Sequence, residues 1–161
     1  MDTFEHAGHT FEIELVHDES ADAPWDNDCI FEGVVSDWTR AKKAPYQRVL
    51  CEDRGSRRYF DVRQYIKVAV GHGCTRKQAA EQLEQSFEYL HRWCNNQWHY
   101  VGVVVHLLDA DGERTECNGA LWGIESDQRG YITTTACDLA DDILRVNSER
   151  IAELESVYAG L

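Results

Sequence analysis

No stretch of this chain stays apolar long enough to cross a bilayer. The longest, Val101 to Leu108, is strand-sized and broken by His106, well short of the ~18 residues a spanning helix needs. Lys and Arg are missing from the first 37 residues, so Met1-Asp-Thr-Phe-Glu5 has neither the positive charge nor the apolar run of a secretory signal. The expectation is a cytoplasmic protein with no membrane contact. No Pro/Gly/Ser-rich linker interrupts the 161 residues, which predicts a single domain over 1–161.

Paired chemical signatures are equally scarce. The six cysteines, Cys29, Cys51, Cys74, Cys94, Cys117 and Cys137, form no CxxC pair, and a chain of this size does not require disulfides. They read as free thiols, mostly buried. His72, Cys74, His91, Cys94 and His99 lack the two paired ligand clusters of a zinc site, so no metal is expected there. There is no Gly-x-Ser-x-Gly, phosphate loop or Gly-x-Gly-x-x-Gly, so no catalytic residue and no cofactor is expected. Asp22, Asp26 and Asp28 read as a plain acidic loop, and Asp109-Ala-Asp-Gly112 as a hairpin turn.

What is present is enough to fold: 43% hydrophobic and 11% aromatic residues, with five Trp and seven Tyr. Phe11, Ile13 and Leu15 alternate with Glu12 and Glu14, which predicts a half-buried strand. Tyr59, Val62, Ile66 and Ala69 fall at helical spacing, ended by Gly71 and Gly73. Thr75 and Gln78 fit a capping box ahead of a stripe of Ala80, Leu83, Phe87, Leu90 and Cys94, a helix over about 75–95. Trp98 to Leu108 reads as a central strand with a hairpin partner ending near Ile124. Ala136, Ala140, Ile143, Asn147, Ile151, Leu154 and Tyr158 form one stripe of a long closing helix. This order predicts an α+β fold, a small mainly antiparallel sheet covered by about three helices in one pair of layers.

Charge is sorted into blocks. Residues 1–37 hold eleven acids and no Lys or Arg, residues 38–80 eleven bases and three acids, and residues 81–161 fifteen acids and five bases. Two surfaces follow. Glu81, Glu84 and Glu88 on one helix, and Asp138, Asp141, Asp142, Glu149 and Glu153 on another, could imitate a row of phosphates toward a basic groove. The bland account is acidity for solubility. The basic segment within 40–77, with Arg54, Arg57, Arg58, Arg63 and Lys67 as phosphate ligands, is interleaved with Trp38, Tyr46, Tyr59 and Tyr65. Its bland account is neutralisation of the acidic zones.

The stretches Pro24-Trp25, Gly33-Val-Val-Ser-Asp-Trp38, Asp53-Arg-Gly-Ser-Arg-Arg-Tyr-Phe-Asp61, Trp93-Cys-Asn-Asn-Gln-Trp98 and Leu121-Trp-Gly-Ile-Glu-Ser-Asp127 carry a resemblance over about residues 24–145. The chain resembles small accessory proteins of unassigned function from bacteriophages and mobile elements. That resemblance implies action inside a bacterial host cell, where small acidic proteins serve as inhibitors of host defence, anti-CRISPR and anti-restriction proteins among them. The leading expectation is therefore a non-enzymatic acidic inhibitor, in effect a nucleic-acid mimic, that binds a host protein or complex with a basic nucleic-acid groove. The alternative is a nucleic-acid-binding accessory factor that uses the basic segment. Neither reading sets an oligomeric state.

Overall fold

A computed structural model describes residues 2–160, apart from the side chain of Tyr158. The elements in chain order are β1 (Asp2–His6), β2 (His9–His17), α1 (Pro24–Asn27), a 3-10 turn (Cys29–Phe31), β3 (Gln47–Asp53), β4 (Ser56–Asp61), α2 (Val62–Gly71), α3 (Arg76–Cys94), β5 (Tyr100–Leu108), β6 (Arg114–Glu125), α4 (Arg129–Val146) and α5 (Ser148–Ala159). The fold is α+β with a mainly antiparallel sheet, as its pattern predicts. The chain gathers into two compact units, one of Met1–Ala21 with His99–Leu161 and one of Asp22–Trp98.

The first unit is built on an antiparallel sheet in the order β1-β2-β5-β6. The Phe11/Ile13/Leu15 alternation lies in β2, paired Phe11↔Leu107, Ile13↔Val105 and Leu15↔Val103 with the central β5. One face of the sheet joins Phe11, Val101, Val103, Val105, Leu107, Cys117 and Ile124 to Ile132, Ala136, Ala140 and Ile143 of α4 and Ile151 of α5 in a single buried cluster. The β5–β6 turn forms where expected, with Asp109 Oδ1 accepting from the backbone N–H of Asp111 and Glu113. The sequence gives no signal of β1, because its turn, Ala7-Gly8 with φ of 48° and 81°, is not one of the dipeptides that announce a primed hairpin turn.

The closing helix is two helices. Asn147, expected within a continuous stripe, is instead the end of α4, where its backbone and side-chain amides both donate to the Ile143 carbonyl. An Asn side chain competes well for a terminal carbonyl, so the break falls there. The Tyr158 end of the stripe lies outside the described side chains.

In the second unit β3 and β4 form a two-stranded antiparallel sheet, and Phe31, Val34, Leu50, Phe60, Tyr65, Ala69, Ala79, Leu83 and Leu90 make its buried core. α3 begins at Thr75 with both halves of the capping box in place. Its buried stripe starts at Ala79 and not at Ala80, which is exposed. The helix expected from Tyr59 starts only at Val62, with the Asp61 carboxylate accepting from Gln64 N–H as its cap. Tyr59 and Phe60 are strand residues because Arg54 and Gly55, with φ of 50° and 83°, reverse the chain and pair Asp53 with Ser56. The buried Tyr59 hydroxyl donates to the Ala41 carbonyl at 2.5 Å.

The expectation of six free thiols fails at Cys51 and Cys94, which form a disulfide between β3 and the end of α3, with Cα atoms 5.7 Å apart. Packing of α3 on the β3–β4 sheet creates that proximity, which no local spacing announces. Cys117 is buried, Cys74 and Cys137 are partly exposed, and Cys29 is exposed.

Candidate functional site

The two units divide the charge between them. Residues 1–21 and 99–161 hold eighteen Asp and Glu against four Arg and no Lys, a net of −14. Residues 22–98 hold eleven acids against twelve bases, a net of +1. The acidic blocks at the two ends of the chain meet because β2 and β5 pair in one sheet.

In the acidic unit three of the four arginines are already engaged. Arg114 reaches Glu12 at 2.5 Å and Glu14 at 3.3 Å, Arg145 reaches Asp142 at 3.1 Å, and Arg150 contacts Glu116. The Arg114 hydrogen bond holds the Glu12 carboxyl below the usual carboxylate range and outweighs the desolvation of a side chain only 12% exposed. His106 lies 3.5 Å from Glu14, His6 2.6 Å from Asp141, and His9 3.6 Å from Glu155. These histidine–carboxylate contacts were not legible in the chain, since each joins residues from different elements.

Of the nominated acids, Asp138, Asp141 and Asp142 lie on α4 and Glu149 and Glu153 on α5. Asp138, Glu149 and Glu153 are exposed and meet no Lys or Arg among the described residues. The remaining three, Glu81, Glu84 and Glu88, belong to α3 in the other unit. There Glu84 accepts from both terminal nitrogens of Arg48, at 2.7 and 2.9 Å, and Glu81 is 4.0 Å from Lys77. The Arg48 hydrogen bonds lower the Glu84 carboxyl.

The basic segment is likewise split by its contacts. Arg57 pairs with Glu52 at 3.4 Å, and Tyr59 and Glu52 together raise its already high pKa. Arg58 is sandwiched between Trp25 and Trp38, its guanidinium carbon 5.2 and 5.1 Å from the two ring centres, and it donates to the Ser36 carbonyl at 3.2 Å. Arg63 lies on the Tyr46 ring. Arg54, at the tip of the β3–β4 hairpin, and Lys67, one turn beyond Arg63 on α2, are exposed and meet no carboxylate among the described residues. The Trp residues have mixed fates: Trp98 is buried and donates to the Tyr89 carbonyl, whereas Trp38 and Trp122 are 43% and 50% exposed.

Among the described residues, no group of three or more His, Cys, Asp or Glu side chains is placed to hold a metal ion, and no helix is long and apolar enough to cross a membrane. Comparison with protein-family models, curated proteins and solved structures finds no match.

Proposed function

We propose that the unit of residues 1–21 and 99–161 is an acidic docking module that binds a basic, nucleic-acid-handling partner and acts by occupying its groove rather than by catalysis. The observation that carries this reading is the net of −14 on one compact unit whose arginines are mostly engaged internally. Carboxylates one turn apart on a helix recur every ~5.4 Å, so the exposed acids of α4 and α5 can follow a line of cationic side chains in the manner of a phosphate backbone. The resemblance to phage accessory proteins supports a host nucleic-acid-binding complex of the defence type as that partner.

The test pairs the protein with a purified basic DNA-binding protein already holding a labelled duplex. The protein alone should leave free duplex unshifted, release it from the complex, and lose that effect steeply as salt rises. The combined change Asp138→Lys, Glu149→Lys and Glu153→Lys should weaken release at least ~tenfold, the signature of steering by charge. Release that ignores salt and charge reversal alike would sink the reading.

A second reading rests on the other unit, where Arg54 and Lys67 are exposed and meet no carboxylate among the described residues and Trp38 exposes a face beside Arg58. It has this unit holding single-stranded nucleic acid by stacking and phosphate contacts. Arg54→Ala with Lys67→Ala should then flatten the salt slope of binding to a labelled oligonucleotide, and an unchanged slope would dispose of it.

A further inference from the structure

The cover of the four-stranded sheet is incomplete. α4 packs on β5 and β6. Toward the β1–β2 hairpin the same face opens: Phe11 is fully buried, Ile13 is half-buried, and Leu15 is 50% exposed although its register partner Val103 is fully buried. Between the hairpin and the first half of α4 runs a groove of about 1050 Å³. Phe4, Ile13 and Leu15 line it on the strand side, and Ile132, Ala136 and Cys137 on the helix side. Past Phe4 and Cys137, the His6–Asp141 contact at 2.6 Å ties strand to helix.

Building on the docking reading above, we infer that this groove receives the apolar stripe of a short, basic amphipathic helix on the partner protein. Near the Asp2–Ile13 pair the open ends of β1 and β2 present a width of ~10 Å, which is that of one helix, and the reach from Arg129 to Cys137 along α4 is ~12 Å, or about two turns. An apolar stripe of that length supplies two or three side chains at i, i+3 and i+7, the usual anchors of a helix lying in a groove. Charge selects the occupant. Asp2, Glu5 and Glu14 stand in the lining, where Arg129 is the one Lys or Arg among the described residues, within a unit of net −14. Basic residues flanking the stripe would meet this field favourably, whereas a second copy of the same unit or an anionic lipid surface would be repelled.

The experiment uses two synthetic peptides of identical Leu/Lys/Ala composition, each about 14 residues, long enough for marginal helicity. One carries its Leu residues in a single helical stripe and the other has them scattered. Fluorescence anisotropy with the full chain should show the striped peptide binding ~tenfold tighter than the scrambled one. Leu15→Asp, or Thr133→Trp from the helix side, should abolish that preference while leaving the weak salt-sensitive binding of both peptides. Circular dichroism verifies folding, and Leu15→Ala stands in if the Asp variant unfolds. Equal binding of the two peptides, or a preference that survives both variants, overturns the groove and leaves the docking module intact. Binding of neither peptide at low salt overturns both.

Discussion

The benzo ring of Trp122 packs onto the backbone of Gly102, so closely that a methyl group at residue 102 would overlap it. Val101 pairs with Ile124 and Val103 with Leu121, so Trp122 and Gly123 together face Gly102 across a bulge, with Gly123 at a φ of 76°. The bulge aims a half-exposed indole at the only residue of β5 without a side chain. Gly102→Ala should therefore lower the unfolding free energy by about 1–3 kcal/mol, the usual range for overpacking. In a Trp122→Ala background the same change should cost much less, and a double-mutant cycle by urea denaturation measures the difference. Strict additivity would show that the contact is energetically empty.

The Arg48–Glu84 pair predicts a pH dependence of defined sign. Because Arg48 depresses the folded-state pKa of Glu84 below its ordinary 4.5, the pair's contribution is present above the unfolded value and is lost as pH falls through the lower folded one. The stability gap between the native chain and Glu84→Gln should thus be constant near neutrality and close on the acid side. Both side chains are substantially exposed, so high salt should also narrow it. Thermal unfolding of the two proteins between neutral and acid pH, at low and high salt, checks both statements. A gap that widens in acid would contradict the assignment.

Reduction of Cys51–Cys94 should destabilise the unit of residues 22–98 by about 3–4 kcal/mol, the chain-entropy value for cross-linking residues 43 apart. Cys51→Ser should reproduce the loss without reductant, and Cys29→Ser, at an exposed thiol, should not. Denaturant curves with and without dithiothreitol measure the effect, and thiol titration of the unfolded, unreduced chain should find four reactive groups. Six reactive thiols would rule the bond out.

Elements whose signals are local were legible in the chain. The capping box at Thr75 and Gln78 and the Asp109 turn each rest on contacts within a few residues, so one stretch of sequence contains the whole cause, and the alternation through Leu15 is a local pattern although the pairing of β2 with β5 is not. The β3–β4 hairpin is hidden where signals compete: Tyr59, Val62, Ile66 and Ala69 satisfy a helical period, yet the Arg54–Gly55 reversal commits Tyr59 to a strand, and Asp61 delays the helix. Propensity and period yield there to pairing with β3, an interaction between strands that no single window displays.

The candidate surfaces show the same division. That acids and bases lie in blocks follows from counting residues, and it sufficed to expect opposed surfaces. Which carboxylates stay available did not follow: Glu84 is taken by Arg48 and Asp141 by His6, while Asp138, Glu149 and Glu153 remain exposed.

The sequence by itself determined the α+β class, the acidity, the capped helix α3 and the central apolar strand β5, because composition and short-range periodicity act within a few residues of chain. Only the tertiary structure decided that residues 1–21 and 99–161 pool their carboxylates in one unit, that Cys51 meets Cys94, and that Leu15 opens a groove beside α4. Each depends on elements distant in the chain packing together, and a linear pattern carries no record of which distant partner it will meet.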